Sequence, residues 1–119
     1  MSEYCGVFRN EKKMKEGLTK IQQFKQQYKQ VYLDNKDYFW NTELIEAMEL
    51  QNIMTVGEII LTSALSRQES RGAYSREDYT QRDDVNFFKH TLAYYSSAKI
   101  DIQHILVVIN MFEFKERKY

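Results

Sequence analysis

The residues best suited to chemistry lie together in one stretch, SRQESRGAYSREDYTQRDD, at positions 66–84. This stretch holds four arginines and five carboxylates, and none of the chain's eleven lysines lies within it. Because the arginine fork binds carboxylates through two parallel hydrogen bonds and stays charged when buried, this choice of base favours ordered ion pairing. A charged run is more commonly a solvated loop, so a loop, a surface for docking another protein and, more remotely, a nucleic-acid contact all remain open.

Catalysis by these side chains is disfavoured. Carboxylates interleaved with arginines, such as Glu69, Glu77 and Asp78, have lowered pKa values and are poor general acids. The two histidines and the single cysteine do not show a zinc-binding spacing. We therefore predict no catalytic, cofactor-binding or metal-binding residue in this chain.

Composition limits the classes of protein that the chain can belong to. Its 119 residues suit one domain with one core. Seventeen basic and seventeen acidic residues cancel, so no overall field recruits nucleic acid or an anionic membrane surface. The lone cysteine suggests a reducing compartment, and the absence of a signal-peptide core or of a long apolar run predicts no direct membrane insertion.

Two predicted helices precede the charged stretch and must position it. Residues 10–33 carry apolar side chains at spacings of three and four, which is typical of one buried helix face, and Asn10 is a plausible N-cap. Residues 41–68 form a second helix with Asn41 as its cap, and Trp40 is expected to pack on Ile45 as a hydrophobic staple. Its long, wide apolar stripe predicts the most buried element of the chain.

The segments after the charged stretch are harder to assign. VNFFKHTLAYY, at positions 85–95, is compatible with a short helix or an extended segment that anchors the chain to the bundle. The tail, residues 98–119, contains a β-branched and partly alternating run at 100–114 that predicts a strand without an obvious partner. Two helices with wide apolar stripes cannot cover each other, so a third element should complete the core.

A long, ordered resemblance joins these segments. Positions 41–95 read NTELIEAMELQNIMTVGEIILTSALSRQESRGAYSREDYTQRDDVNFFKHTLAYY. They closely resemble the C-terminal domain of the flavoprotein subunit of succinate dehydrogenase and fumarate reductase. That family carries N-T-E-L-x-E-A-x-E-L-x-N, then E-S-R-G-A-H-x-R-E-D-Y-P-x-R-D-D, then N-W-L-K-H-T-L-A-Y. The upstream GVFRNEKKMKEGLTKI and the closing FKERKY are also similar to family segments. This chain departs at Tyr74, where histidine is usual, at Thr80, where proline is usual, and at Phe87 and Phe88, where Trp-Leu is common.

The resemblance implies a mainly α fold. It is a helical bundle of the spectrin-repeat-like three-helix type with its first helix largely missing, followed by a charged loop and a C-terminal extended segment. Residues 1–119 would form a single C-terminal helical domain of a larger flavoprotein. The family's catalytic and flavin-linking residues lie in the upstream domains, so none is carried over to this chain.

The resemblance also implies a function for the parent protein. It would use FAD to oxidise succinate to fumarate and pass the electrons through an iron–sulfur subunit to quinone. It would lie in the cytoplasm, peripheral to the inner face of the cell membrane, or on the matrix side in a mitochondrion. A fumarate reductase, an L-aspartate oxidase and a free-standing, non-catalytic interaction module are the alternatives.

Within this interpretation the charged stretch docks the domain onto its neighbours. The partners would be the flavin-binding domain and the iron–sulfur subunit, and the isolated chain, with its incomplete bundle, would self-associate. The predicted docking residues are Arg67, Glu69, Arg71, Arg76, Glu77, Asp78, Arg82 and His90.

Overall fold

A pair of helices and a pair of antiparallel strands make up the described part of the chain. The charged stretch at positions 66–84, from here on the charged loop, joins the two pairs. The computed structural model describes residues 1–110, in which the elements are β1 (Phe8–Arg9), α1 (Glu11–Tyr28), α2 (Thr42–Ser66), β2 (Ser75–Arg76), β3 (Lys89–Ser96) and β4 (Lys99–Leu106). The predicted mainly α fold with a C-terminal extended part is confirmed. Neither helix in this part of the chain is long and apolar enough to cross a membrane.

Helix α1 begins where the sequence predicts and ends sooner. The Asn10 side-chain oxygen accepts a hydrogen bond from an amide of the first turn, 2.9 Å away, as an N-cap does. The predicted end at residue 33 was wrong, because the helix stops at Tyr28. The Glu43 carboxylate accepts from the amides of Asp34 and Asn35 at 3.1 and 2.8 Å, so the connecting chain bonds to the start of α2 and does not continue the helix.

At the N-terminus of helix α2, one prediction from the sequence is correct and one is wrong. The Asn41 side-chain oxygen accepts from the Leu44 amide at 2.9 Å, which confirms the cap. The hydrophobic staple is absent, since Trp40 is 96% exposed and Ile45 is 55% exposed. Trp40 has a φ of 54°, a left-handed backbone conformation that is uncommon for a bulky residue.

The core sits between α1 and the C-terminal half of α2. Met14, Leu61 and Ala64 are buried at its centre, with partly buried apolar residues around them. The predicted stripe of α2 is therefore only partly covered. We name the uncovered part of this stripe the open α2 face; it consists of Ile45, Met48, Ile53, Val56 and Ile60, each between 44% and 63% exposed.

Gly17 permits a close approach of the N-terminal segment to α1. A Cβ atom at this position would lie 2.6 Å from the Cβ of Tyr4, closer than real carbon atoms approach. We expect Gly17→Ala to destabilise the fold by roughly 1 to 2 kcal/mol, since the overpacking penalty exceeds the gain of about 1 kcal/mol in helix propensity. Urea unfolding followed by circular dichroism measures the change. Gly57→Ala is the matched control with a smaller loss, because its nearest contact is the flexible end of Ile21 at 3.1 Å.

The C-terminal strand is not an orphan, and the prediction that it lacked a partner was wrong. Strands β3 and β4 pair antiparallel along their whole lengths, with Tyr95 opposite Ile100 near the turn. Ser97 and Ala98 make the two-residue turn with φ of 51° and 61°, the left-handed pair that a tight hairpin requires. Strand β4 ends at Leu106, and the end of the predicted strand together with FKERKY lies outside the described residues.

Candidate functional site

The charged loop folds back on the end of α2 through a buried arginine. Arg76 is 1% exposed, and its Nη1 donates to the carbonyl oxygens of Ala64 and Arg67 at 3.4 and 3.0 Å. The last carbonyl groups of a helix lack intrahelical donors and carry a partial negative charge. The Arg76 guanidinium therefore caps α2 with hydrogen bonds and with a complementary charge.

The same arginine is held on its other side by Asp78. Arg76 Nε and Nη2 donate to the two Asp78 carboxylate oxygens at 2.6 and 2.7 Å, a bidentate pair. Asp78 also accepts from the Glu11 amide at 2.9 Å, in the first turn of α1. One ion pair thus links the negative end of α2 to the positive end of α1, where each charge has the favourable sign.

Short backbone and side-chain contacts reinforce this link. Phe8 and Arg9 pair in parallel with Ser75 and Arg76, and the Glu77 amide donates to the Arg9 carbonyl oxygen at 2.8 Å. Glu77 accepts at its carboxylate from the Asn10 side-chain amide at 2.7 Å. The segment before α1 is consequently tied to the charged loop.

Tyr74 adds a second donor at the end of α2. Its single O–H is shared between the carbonyl oxygens of Ala64 and of Arg67, the latter at 3.1 Å. The Arg9 guanidinium carbon lies 4.8 Å from the centre of the Tyr74 ring, within the range of a cation–π contact. Tyr74 thus supplies this donor at a position where histidine is usual in the family that the sequence resembles.

A second buried charge, Glu69, organises the other half of the loop. Its side chain is fully buried and accepts from Arg67, from Arg71 at 3.0 Å and from the Asp83 amide at 3.0 Å. Burial alone would raise the pKa of Glu69, but the hydrogen bonds from Arg71, Arg67 and the Asp83 amide outweigh it and lower the pKa overall. Glu69 is therefore ionised at neutral pH.

Arg71 and Arg67 extend this cluster in two directions. Arg71 donates to Asp84 at 2.6 Å, and Asp84 in turn accepts from Arg82 at 2.6 Å. Arg67 donates to the Lys89 carbonyl oxygen at 2.8 Å and to the Thr91 hydroxyl at 3.0 Å on β3. The loop is thereby fastened to the hairpin as well as to both helices.

We name these linked groups the arginine–carboxylate network. Six of the eight predicted docking residues belong to it. Glu77 lies at its exposed edge on Asn10, and His90 lies exposed on β3 without a side-chain hydrogen bond within residues 1–110. The docking role of all eight stays a prediction. The network members are Arg67, Glu69, Arg71, Arg76, Asp78, Arg82 and, not singled out from the sequence, Tyr74 and Asp84.

The chemistry open to the network is structural. Its carboxylates are bonded to arginines, and the pKa values of Glu69, Asp78 and Asp84 are lowered, which suits permanent ion pairs and not proton transfer. Within residues 1–110, no group of three or more His, Cys, Asp and Glu side chains could hold a metal ion. The arrangement can hold a surface in a defined shape.

Acid should weaken the link between the helices. Hydrogen bonds from Arg76 lower the pKa of Asp78 from 3.8 to about 2, so the pair stabilises the fold above pH 3.8 and loses its effect as pH falls toward 2. We expect Asp78→Asn to cost roughly 1 to 2 kcal/mol at pH 7, with the difference from wild type shrinking toward pH 2. Urea unfolding between pH 2 and 7 measures it. For the exposed Asp101→Asn, a difference that is already small at pH 7 is expected.

Comparison with known proteins agrees with this geometry. The family described as "Fumarate reductase flavoprotein C-term" matches residues 1–119. The chain is 43% identical over 96 residues to the fumarate reductase flavoprotein subunit of Haemophilus influenzae, covering 81% of this chain and 16% of that protein. It is 47% identical over 92 residues to the succinate dehydrogenase flavoprotein subunit of Coxiella burnetii, covering 77% and 16%.

A solved structure gives the same result in three dimensions. A variant of FrdA of the E. coli quinol fumarate reductase superposes with a TM-score of 0.90 at 34% identity, covering 95% of this chain and 20% of that one. The chain thus spans about a sixth to a fifth of the length of the relatives that it matches.

Fold and site together define a helical domain whose charged loop is organised by buried ion pairs. The chain belongs to the family of C-terminal domains of the succinate dehydrogenase and fumarate reductase flavoprotein subunits. The predicted resemblance is confirmed.

Proposed function

We propose that the chain is the C-terminal docking domain of an FAD-dependent enzyme that interconverts succinate and fumarate. The observation that carries the proposal is the match of residues 1–119 to the C-terminal domain of relatives about six times longer, which are flavoprotein subunits of both kinds. Flavin binding would then reside in the rest of the parent polypeptide. This chain would contribute no catalytic residue.

The parent enzyme would remove two hydrogens from succinate, leaving fumarate, with FAD accepting two electrons. An iron–sulfur subunit would pass these electrons on to quinone, and the reverse flow would reduce fumarate. The complex would lie peripheral to the cytoplasmic face of the cell membrane, or to the matrix face in a mitochondrion. The parent subunit itself would not insert into the membrane.

The chain's own task would be to hold geometry. The arginine–carboxylate network joins both helices and the hairpin, so the loop can present a fixed surface to a neighbouring domain. The open α2 face supports the same role, because exposed apolar surface of this kind is typical of a face that another element covers. The isolated chain would self-associate through that face.

A size and flavin measurement tests the proposal. An antibody against this chain should detect, in native extract of the source cells, one band well above 14.4 kDa that also shows in-gel flavin fluorescence. This result is expected because the flavin would be covalently bound to the same polypeptide. A non-fluorescent band at 14.4 kDa would instead indicate an independent interaction module.

A further inference from the structure

A cationic cleft lies between the charged loop and β3. Its volume is about 460 Å³. Among residues 1–110, no carboxylate lines it. The lining residues are Arg67, Arg71, Phe87, Phe88, Lys89, His90, Thr91 and Val107.

The two arginines of the cleft differ in how many of their donor nitrogens already have a hydrogen-bond partner. Arg67 donates through Nη1 and Nη2 to Glu69, to two carbonyl oxygens and to the Thr91 hydroxyl. Arg71 donates through Nε and Nη2 to Glu69 and Asp84, which leaves its Nη1 without a partner within residues 1–110. The Nη1 group of Arg71 is therefore available to donate a hydrogen bond to a partner.

Two further residues that line the cleft, Lys89 and His90, carry donors of their own. In the part of the chain that the structure describes, neither the Lys89 ammonium nor the His90 ring has an ion pair or side-chain hydrogen bond. Glu69 and Asp84, the carboxylates that bind Arg71, are already shared between arginines. The cleft thus presents unmatched positive charge.

Two aromatic rings beside the arginines partly screen the cleft from water. The guanidinium carbon of Arg71 lies 5.6 Å from the centre of the Phe88 ring, and that of Arg67 lies 5.7 Å from the Phe87 ring. An ion pair partly screened from water by such rings is stronger than one at an open surface. A carboxylate entering the cleft would meet preformed donors on rigid supports.

We propose that this cleft binds a carboxylate side chain from an acidic segment in the flavin-binding part of the parent polypeptide. The inference rests on the proposed function and adds the chemistry of the partner. Lys89 supplies the main charge, and Arg71 Nη1 supplies a hydrogen bond. The fixed parts of the network position them.

Zero-length crosslinking of the purified, flavin-containing parent protein tests the cleft. A water-soluble carbodiimide joins a lysine amine to a carboxylate only when the two are in direct contact. Mass spectrometry is expected to find Lys89 joined to an Asp or Glu of the polypeptide outside residues 1–119. Lys89→Arg keeps the charge but removes the reactive amine, so the crosslinked peptide should disappear.

Lys99 is the matched control, an exposed lysine on the same hairpin that does not line the cleft. It should not crosslink to the segment that Lys89 captures. A parent protein that contains flavin but leaves Lys89 unlinked, or links it to Glu113 or Glu116 of this chain or to another subunit, overturns the cleft and leaves the proposed function intact. A parent without flavin overturns the proposed function, and the inference falls with it.

Discussion

Arg76→Ala is expected to lower the free energy of unfolding by about 3 to 5 kcal/mol, the cost typical of breaking a buried ion pair from one side. The substitution leaves the Asp78 carboxylate without its bidentate partner and removes a donor from the carbonyl oxygens of Ala64 and Arg67. The C-terminus of α2 loses its stabilising positive charge, and the Asp78 carboxylate at the N-terminus of α1 loses the partner that holds it in place. Urea unfolding of the chain, followed by far-ultraviolet circular dichroism, measures the loss.

Two companion variants define the cause. Arg76→Lys retains the positive charge but cannot form the planar fork, so an intermediate loss is expected. Arg82→Ala removes a more exposed partner of Asp84, which keeps Arg71, and should cost less than about 1 kcal/mol. If Arg76→Ala were no worse than Arg82→Ala, the buried pair would not be what joins the helices.

Glu69→Ala is expected to be nearly as damaging, at about 3 kcal/mol, because it leaves two arginines around an empty, buried site. It also removes the acceptor of the Asp83 amide, 3.0 Å away. The loop should then separate from the hairpin before the helices unfold. Hydrogen exchange with mass spectrometry should show lost protection around residue 83, with α1 little changed.

Glu69→Gln tests whether charge or shape matters more. The amide fills the same volume but accepts more weakly from the arginines, so we expect a loss of about 2 kcal/mol. Glu77→Ala, at the exposed edge of the network, is the control and should cost less than about 1 kcal/mol. Equal effects at the buried Glu69 and the exposed Glu77 would contradict the assigned role of burial.

Local chemistry explains which parts of the fold could be predicted. Asn10 and Asn41 were recognised as caps because an N-cap needs only a short side-chain acceptor directly before a helix. The hairpin was missed because its turn, Ser97 and Ala98, lacks the Asn-Gly or Asp-Gly signal of tight hairpin turns.

The candidate site was predictable in composition and not in arrangement. The preference for arginine indicated ordered ion pairs, and these are present. The sequence could not show that Arg76 and Glu69 are buried, since their burial depends on how the loop folds back on α2. Tyr74 stood out only as a departure from the family pattern, and its role as a donor to the end of α2 appears only in three dimensions.

Methionine oxidation in the purified, longer flavoprotein tests most directly whether this domain packs against the rest of the polypeptide. In this chain Met48 is 58% exposed on the open α2 face, whereas Met54 is 6% exposed. The account predicts that dilute hydrogen peroxide, with mass spectrometry as the readout, oxidises both slowly, because other parts of the parent polypeptide cover Met48. Fast oxidation of Met48 beside a protected Met54 would contradict it, since the open α2 face would then be free in the parent as well.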